Sequence, residues 1–374
     1  MVTQHLRVLI VDRPSWYEPV IERQELARVG ADVIVGWANA PQCPPEAKRG
    51  FPAGDLTRED LSAITSAYVP PSITTEERVV EMAHNAAGIL TARANMTARV
   101  MDALPMLRVI GRYGIGVDNI DVEAATARGI AIVNAPGFCA REVAEHTVMF
   151  ILASGRKLGV LDKKMRRGAW PRDEASPMRA LFTQTLGLIG YGQIGREVAL
   201  RAAACGMTVL AYDPYLRPAQ AERLQVRLVS LQELLREADF VSVHAPLTAE
   251  TRHLLGQNEL RQMKGTAYLI NTSRGPLVDE AALLEALEAG WIAGAALDVF
   301  ETEPLPPSSP LLRRENVLLT PHIGGLSNEG QRLLRRTLAK AMADVLLGGW
   351  PEGPELYNPR IKDMATGRWR ERKS

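Results

Sequence analysis

Short apolar runs alternate with amphipathic stretches along the first part of the chain. Short apolar runs are typical of buried parallel strands, whereas apolar positions spaced three or four residues apart are typical of helices. The predicted strands are residues 6–11, 31–35, 88–91, 107–110 and 130–133, and the predicted helices are residues 19–29, 74–85 and 97–104. Because strands and helices alternate, the pattern predicts an α/β domain with a parallel sheet.

The same alternation continues after a long predicted helix at residues 141–158. The later predicted strands are residues 186–189, 207–212, 226–228, 240–244, 267–271, 294–298 and 317–319, with helices at 193–205 and 331–347. Two stretches depart from this pattern. The proline-rich residues 36–71 are interpreted as a loop or insertion with at most a short helix at 58–64, and residues 361–374 as a flexible tail.

Length and charge restrict the class of protein. A chain of 374 residues is long for one hydrophobic core, so two domains are expected. The formal net charge is +1, so no overall electrostatic field favours a nucleic acid or a membrane surface. Basic residues of the tail are interspersed with Asp363 and Glu371, which favours a solvated terminus over a nucleic-acid-binding arm.

The cysteines and the apolar segments indicate a cytoplasmic protein. Cys43, Cys139 and Cys205 form no C-x-x-C pair, which is typical of a reducing compartment. The start of the chain lacks the pattern of a signal peptide, and the longest apolar helix core, residues 147–153, is too short to span a bilayer. We therefore expect no membrane partner.

Residues 186–213 contain the pattern of a dinucleotide-binding loop. Gly190, Gly192 and Gly195 have G-x-G-x-x-G spacing between a predicted strand and a predicted helix, and Asp213 ends the next strand. The first glycine allows a tight turn, the second lets the backbone approach a pyrophosphate, and the third lets the helix pack on the strand. Asp213 can accept hydrogen bonds from both ribose hydroxyls and would repel a 2′-phosphate. The sequence therefore predicts NAD rather than NADP.

Three polar segments follow predicted strands, where α/β sheets place their ligand sites. They contain Arg274, Glu303 and His322. Hydride transfer at a C–OH carbon needs a proton acceptor near neutral pH, which suits His322. Glu303 would orient the imidazole and stabilise its charged form, and the planar Arg274 would bind a substrate carboxylate. Taken singly, Arg274, Glu303 and His322 also fit structural roles. A fourth residue, His244, could line the cofactor without acting as the base.

The motifs together resemble the D-isomer-specific 2-hydroxyacid dehydrogenases. The segments that carry the resemblance are residues 111–121, 187–195, 271–275, 298–304 and 321–325. Within the family, residues 112–121 and 139–146 look most like the C-terminal-binding-protein-like branch. The eukaryotic members of that branch serve as NAD(H)-dependent transcriptional co-regulators. The resemblance therefore implies two possible functions, catalysis or NAD(H)-dependent co-regulation.

The resemblance also implies residue roles. Arg274 would bind the substrate carboxylate and carbonyl, Glu303 would pair with the imidazole, and His322 would be the acid/base. Asp298 would bind the nicotinamide carboxamide. Further cofactor contacts would come from Ile115, Gln193, Ile194, Ala245, Pro246, Thr272, Ser273 and Gly324. Substrate contacts would come from Gly114, Gly116 and Arg93, the last at a position where some members place a second substrate-binding arginine.

These observations predict two Rossmann-like α/β domains with parallel sheets. A discontinuous substrate domain at residues 1–117 and 326–360 would contain an inserted NAD-binding domain at 118–325. The expected function is NAD-dependent hydride transfer between nicotinamide and C2 of a D-2-hydroxy acid or 2-oxo acid, without a metal. The resemblance implies a homodimer through the NAD-binding domain. The alternative is an NAD(H)-sensing binding protein with little or no turnover, since it would contain the same three residues.

Overall fold

The computed structural model describes residues 6–14, 18–37, 75–217, 219 and 226–364. Its strands are β1 (Leu6–Pro14), β2 (Ala31–Trp37), β3 (Gly88–Thr91), β4 (Val109–Arg112), β5 (Ala131–Val133), β6 (Thr185–Ile189), β7 (Thr208–Tyr212), β8 (Arg227–Leu228), β9 (Phe240–Val243), β10 (Tyr268–Asn271), β11 (Gly294–Leu297) and β12 (Val317–Leu319). The helix predicted at 58–64 and most of the predicted tail lie outside the described residues.

Helices connect most of these strands. They are α1 (Val20–Leu26), α2 (Glu76–Ala83), α3 (Ala98–Asp102), α4 (Val122–Ala127), α5 (Ala140–Gly155), α6 (Leu158–Arg166), α7 (Gln193–Ala204), α8 (Leu231–Glu237), α9 (Gln257–Leu260), α10 (Glu280–Glu288), α11 (Asn328–Leu346) and α12 (Ile361–Met364). Within the described ranges, none of the helices has both the length and the apolar composition that a membrane crossing needs.

The chain divides into two compact units, and the first comprises Met1–Phe138 and Ser327–Ser374. Its described strands form a parallel sheet in the order β2-β1-β3-β4-β5. Neighbouring residues of β1 face opposite sides, so that Val8 packs in a cluster with Met342 of α11, and Leu9 in a cluster with Val79 of α2. Both faces are covered, as an all-parallel sheet requires.

The second unit, Cys139–Leu326, contains a larger parallel sheet in the order β12-β11-β10-β9-β6-β7-β8. Val241 of β9 packs with Leu283 of α10 on one face, and Phe240 packs with Phe150 of α5 on the other. Chain order reverses between β6 and β9, which is where open α/β sheets bind ligands. The two parallel sheets confirm the predicted fold class.

Several boundaries differ from the sequence-based expectation. Residues 361–364, predicted as part of a flexible tail, form α12, because Ile361 is fully buried in the core of the first unit. The predicted domain boundary lies at 117/118, whereas residues 118–138 belong to the first unit, because β5 pairs with β4 through Val109 and Ala131. The helix predicted at 141–158 ends at Gly155. Lys157 has a φ of 53°, in the left-handed region, and this residue separates α5 from α6.

A buried ion pair joins α1 to α11 in the first unit. The fully buried Glu22 carboxylate accepts hydrogen bonds from Arg335 Nε at 2.8 Å, from Arg335 Nη2 at 2.7 Å and from the Tyr113 hydroxyl at 2.8 Å. Burial raises the pKa of Glu22, but the Arg335 charge and these hydrogen bonds together outweigh it and leave the pKa below its ordinary value of 4.5.

We expect Glu22→Gln to lower the free energy of unfolding by about 3–5 kcal/mol, because the change leaves a buried arginine without its counter-charge. A lowered pKa in the folded state means that ionised Glu22 stabilises the protein above its ordinary pKa of 4.5, and that this stabilisation is lost as the pH falls through the lowered value. Urea unfolding over about pH 3–7 measures both effects. Equal acid dependence in the two proteins would contradict this role for Glu22.

Candidate active site

The glycine loop lies between β6 and α7, at the carboxyl edge of the second sheet. Gly190 has a φ of +95°, and a Cβ there would lie 2.8 Å from the carbonyl oxygen of His244. A Cβ on Gly195 would lie 2.5 Å from the carbonyl oxygen of Gly190. Only glycine fits these two positions, so α7 can begin directly beside the strand.

Gly192 is the N-cap residue of α7, and its surroundings fit a pyrophosphate. The cap has no side-chain hydrogen bond, and a Cβ on Gly192 would meet no atom of the described residues within 4 Å. The N–H groups of Gln193, Ile194 and Gly195, in the first turn, have no acceptors within the helix. The helix dipole adds positive potential at this end. The residues present therefore fit the anionic part of NAD.

Asp213 follows β7, and its carboxylate lies beside the glycine loop. Oδ2 accepts the Tyr191 N–H at 2.9 Å, and Oδ1 accepts the Tyr215 N–H at 2.9 Å. A carboxylate has about four lone-pair sites, so acceptor capacity is left for ribose hydroxyls. The position of Asp213 next to the loop agrees with a ribose-binding role.

His322 follows β12 and forms a pair with Glu303. The imidazole Nδ1 lies 2.7 Å from Glu303 Oε2, and the two side chains are 38% and 21% exposed. The other carboxylate oxygen accepts the Phe300 N–H at 3.2 Å. Because Nδ1 is paired with Glu303, Nε2 is the imidazole nitrogen that can exchange a proton with a substrate.

Asp298 fixes the backbone that carries His322. The carboxylate is 1% exposed and accepts the Thr320 hydroxyl at 2.6 Å, the Ile323 N–H at 2.9 Å and the Gly324 N–H at 2.7 Å. The carbonyl of Asp298 accepts the His322 N–H at 2.8 Å. His322 has a φ of 56°, which a residue other than glycine adopts rarely and at a cost. The contact of Asp298 with nicotinamide stays a prediction.

The Arg274 segment follows β10 and packs against the segment that carries Glu303. A Cβ on Gly275 would lie 1.9 Å from the carbonyl carbon of Phe300, so the two backbones are in direct contact. Phe300 in turn donates its N–H to Glu303. Arg274, Glu303 and His322 therefore belong to one contiguous group of loops at the carboxyl edge of the second sheet.

The loops after β9 and β10 are also joined. Ser273 Oγ donates to the Ala245 carbonyl at 2.8 Å, and Thr272 Oγ1 lies 2.9 Å from Thr147 Oγ1 of α5. The carbonyl of Pro246 accepts a hydrogen bond from Thr251 Oγ1 at 2.7 Å. The predicted cofactor residues of the second unit thus lie along the same edge as the glycine loop.

Two other histidines of this unit are poor proton donors. Burial lowers the pKa of His244 to about 4, so His244 is neutral at neutral pH. Burial also lowers the pKa of His146, and this effect exceeds the opposite effect of the Asp298 carboxylate. His322, which is partly exposed and paired with a carboxylate, is better placed to exchange a proton.

The remaining predicted site residues lie in the first unit, at the carboxyl edge of its sheet. Arg93 follows β3, and the segment from Gly114 to Gly116 follows β4. Gly114 has a φ of +148°, and a Cβ there would lie 1.5 Å from Nη1 of Arg112. Within this unit, therefore, the two predicted substrate-binding loops directly follow neighbouring strands of the sheet.

Sequence patterns did not identify two residues that organise the loops. His146 Nε2 lies 2.9 Å from Thr320 Oγ1, which donates to Asp298. His146 lies on α5, and its partner is 174 positions away, so no local pattern reveals this contact. Asp12, towards the end of β1, has hydrogen bonds to residues about 80 positions later, and nothing in its immediate sequence indicates them.

Comparison with known families gives a match within the second unit. The family model of the D-isomer specific 2-hydroxyacid dehydrogenase NAD binding domain matches residues 148–324. That range contains the glycine loop, Asp213, Arg274, Glu303 and His322. The match therefore covers most of the second unit and all the residues grouped at its carboxyl edge.

The chain is also similar to individual proteins. It is 44% identical over 268 residues to a glyoxylate reductase of Korarchaeum cryptofilum, covering 71% of this chain and 80% of that protein. It is 41% identical over 280 residues to a D-3-phosphoglycerate dehydrogenase of Archaeoglobus fulgidus, covering 75% of this chain and 53% of that protein. The crystal structure of TT0316 from Thermus thermophilus is similar with a TM-score of 0.75 and 34% identity, covering 94% of this chain and 100% of that chain.

Proposed function

Since the chain belongs to the D-isomer specific 2-hydroxyacid dehydrogenase family and is an NAD-dependent oxidoreductase, we propose that Arg274, Glu303 and His322 perform its hydride transfer at C2 of a 2-hydroxy or 2-oxo acid. The observation that carries this proposal is the 2.7 Å contact between His322 Nδ1 and Glu303 Oε2, in loops contiguous with the Arg274 segment. In this arrangement His322 would supply a proton donor, Glu303 its counter-charge, and Arg274 a cation that binds a carboxylate.

In the reducing direction, the Arg274 guanidinium binds the substrate carboxylate through two parallel hydrogen bonds. The NADH that the glycine loop and Asp213 would hold would supply the hydride that C2 of the 2-oxo acid receives. His322 Nε2 gives its proton to the carbonyl oxygen, which becomes the hydroxyl of the product. Glu303 stabilises the imidazolium before transfer and keeps Nδ1 protonated afterwards. Oxidation of the hydroxy acid is the reverse, with His322 as the base.

Gly190, Gly192, Gly195 and the start of α7 would hold the pyrophosphate, and Asp213 would bind the adenosine ribose. Asp298 is proposed to bind the nicotinamide carboxamide. Further contacts to the cofactor are proposed for Ile115, Gln193, Ile194, Ala245, Pro246, Thr272, Ser273 and Gly324. Arg93, Gly114 and Gly116 are proposed to contact the substrate. The basis for these assignments is their position at the carboxyl edges of the two sheets.

The loss of NADH absorbance with a panel of 2-oxo acids tests the proposal. The panel contains glyoxylate, hydroxypyruvate, pyruvate and phosphohydroxypyruvate, with NADPH in parallel. We expect turnover of at least one acid with NADH and slower turnover with NADPH, because Asp213 disfavours a 2′-phosphate. Tight NADH binding without turnover of any acid would contradict the dehydrogenase activity. A preference for NADPH would contradict the role of Asp213.

We also propose that the protein is a homodimer that associates through its NAD-binding domain. Several large apolar side chains of the second unit are exposed, namely Met149, Leu152, Leu158, Trp170, Phe182 and Leu200. Contiguous exposed apolar surface marks association sites, and Met149, Leu152 and Leu158 come from the consecutive helices α5 and α6. Light scattering that gives twice the mass of 41.0 kDa would support the dimer, and the monomer mass would contradict it.

A cytoplasmic location is proposed from the cysteines. The chain contains three cysteines without a C-x-x-C pair, and Cys205 is an exposed free thiol, as is usual in a reducing compartment. Fractionation of the source cells, followed by detection with an antibody, tests the location. Recovery with the membrane or secreted fractions would contradict it.

A further inference from the structure

We propose that Asp12 is a positioning residue for the substrate. Its carboxylate fixes the backbone of residues 92–94 and, through them, the loop that contains Gly114 and Gly116. This inference rests on the proposed function, in which Arg93 and these two glycines contact the substrate. Asp12 itself is 2% exposed, so it acts through the loops rather than on the substrate.

The hydrogen bonds of Asp12 converge on one oxygen atom. Oδ2 accepts the backbone N–H groups of Ala92 at 2.6 Å, Arg93 at 2.6 Å and Ala94 at 3.3 Å, and the Thr91 hydroxyl at 2.9 Å. Hydrogen bonds to a carboxylate are stronger than those between neutral groups. Three consecutive N–H groups that point to one buried anion define the course of the backbone at Arg93.

The same network extends to the second loop. The Ala94 carbonyl accepts a hydrogen bond from the Asn119 side chain at 2.7 Å, and the Asn119 carbonyl accepts the Met96 N–H at 2.8 Å. The Tyr113 N–H donates to the Thr91 carbonyl at 2.8 Å. The segment from 113 to 119, which includes both glycines, is therefore bonded to the segment that Asp12 holds.

The place of Asp12 in the sheet gives this network its functional meaning. The strand order β2-β1-β3-β4-β5 reverses between β1 and β3, so the carboxyl ends of these strands flank a ligand-binding switch point. Asp12 lies towards the end of β1, and residues 92–94 directly follow β3. Because this backbone is fixed before binding, Arg93 loses less conformational entropy when it binds an anion.

Steady-state kinetics of Asp12→Ala and Asp12→Asn test the inference, with the 2-oxo acid that the wild type reduces fastest. We expect Asp12→Ala to raise the KM for this acid about tenfold, because the backbone that carries Arg93 loses the charged acceptor that holds it in place before binding. The KM for NADH and kcat should change much less. Asp12→Asn should show partial rescue, because its amide oxygen can still accept.

Asn358→Ala is the matched control for a loss of stability alone. Asn358 is buried in the same unit, where its side chain accepts the Ile132 N–H at 2.8 Å and donates to Thr126 and Ile130 at 3.0 Å. Its contacts are to β5 and α4 rather than to residues 92–94. We expect this variant to lower the melting temperature while the KM for the oxo acid stays at the wild-type value.

The outcomes separate this inference from the proposed function. A wild-type KM in Asp12→Ala, or an equal rise in Asn358→Ala, would overturn the role of Asp12 in an otherwise active enzyme. Absence of oxo-acid reduction by the wild type would instead overturn the proposed function. If Asp12→Ala does not fold, hydrogen exchange of Asp12→Asn decides. Faster exchange of the amides of residues 92–94 supports the inference, and unchanged protection overturns it.

Discussion

His322→Ala is expected to lower kcat by about 10²- to 10⁴-fold, the usual contribution of a positioned acid/base group, while the Kd for NADH stays at the wild-type value. The reason is geometric. The Glu303 carboxylate lies 2.7 Å from Nδ1, which leaves Nε2 for the substrate oxygen. The glycine loop, which would bind the cofactor, precedes this segment by more than a hundred positions and does not depend on the imidazole.

His253 provides a closely matched control for this variant. It also has a left-handed backbone, with a φ of 54°, and its Nε2 lies 2.7 Å from Glu301 Oε1 in the same unit. His253→Ala removes a histidine–glutamate pair of the same kind from a surface turn, so we expect wild-type kcat. Single-turnover absorbance measurements and fluorescence titration with NADH separate turnover from binding. Full activity of His322→Ala would contradict the acid/base assignment.

Arg274→Lys is expected to lower kcat/KM for the oxo acid by about 10- to 150-fold, which corresponds to one lost charge-assisted hydrogen bond of about 1.5–3 kcal/mol. Lysine keeps the positive charge but cannot form two parallel hydrogen bonds with a carboxylate. The backbone of this segment is constrained, because Gly275 lies against Phe300. The ammonium of lysine reaches less far than the guanidinium, and the loop therefore cannot shift to compensate for this difference.

Arg236→Lys is the control for this substitution, since Arg236 is an exposed residue of α8. It should leave kcat/KM unchanged. The KM for NADH should stay at the wild-type value in both variants, because Arg274 is assigned to the substrate and not to the cofactor. Unchanged KM and kcat for the oxo acid in Arg274→Lys would contradict the carboxylate-binding role.

Local patterns predicted most elements correctly. The strand predicted at residues 88–91 matches β3, and the helix predicted at 193–205 matches α7 to within one residue. Apolar runs and helical spacing are properties of neighbouring residues, so they can be detected in the sequence. The boundaries that were predicted wrongly depend on single backbone conformations or on strand pairing, such as the left-handed Lys157 that separates α5 from α6 and the pairing of β5 with β4.

The sequence by itself determined the α/β class, the glycine loop with Asp213, and the candidacy of Arg274, Glu303 and His322, because each follows from spacing within a short segment. Only the tertiary structure decided which polar groups position the backbone at the predicted site residues. Asp298 binds the backbone around His322, and Asp12 binds the backbone around Arg93, over separations of 25 and 81 positions. Such partners come into contact only when parallel strands bring their carboxyl ends to one edge of a sheet. The sequence around each residue therefore does not reveal them.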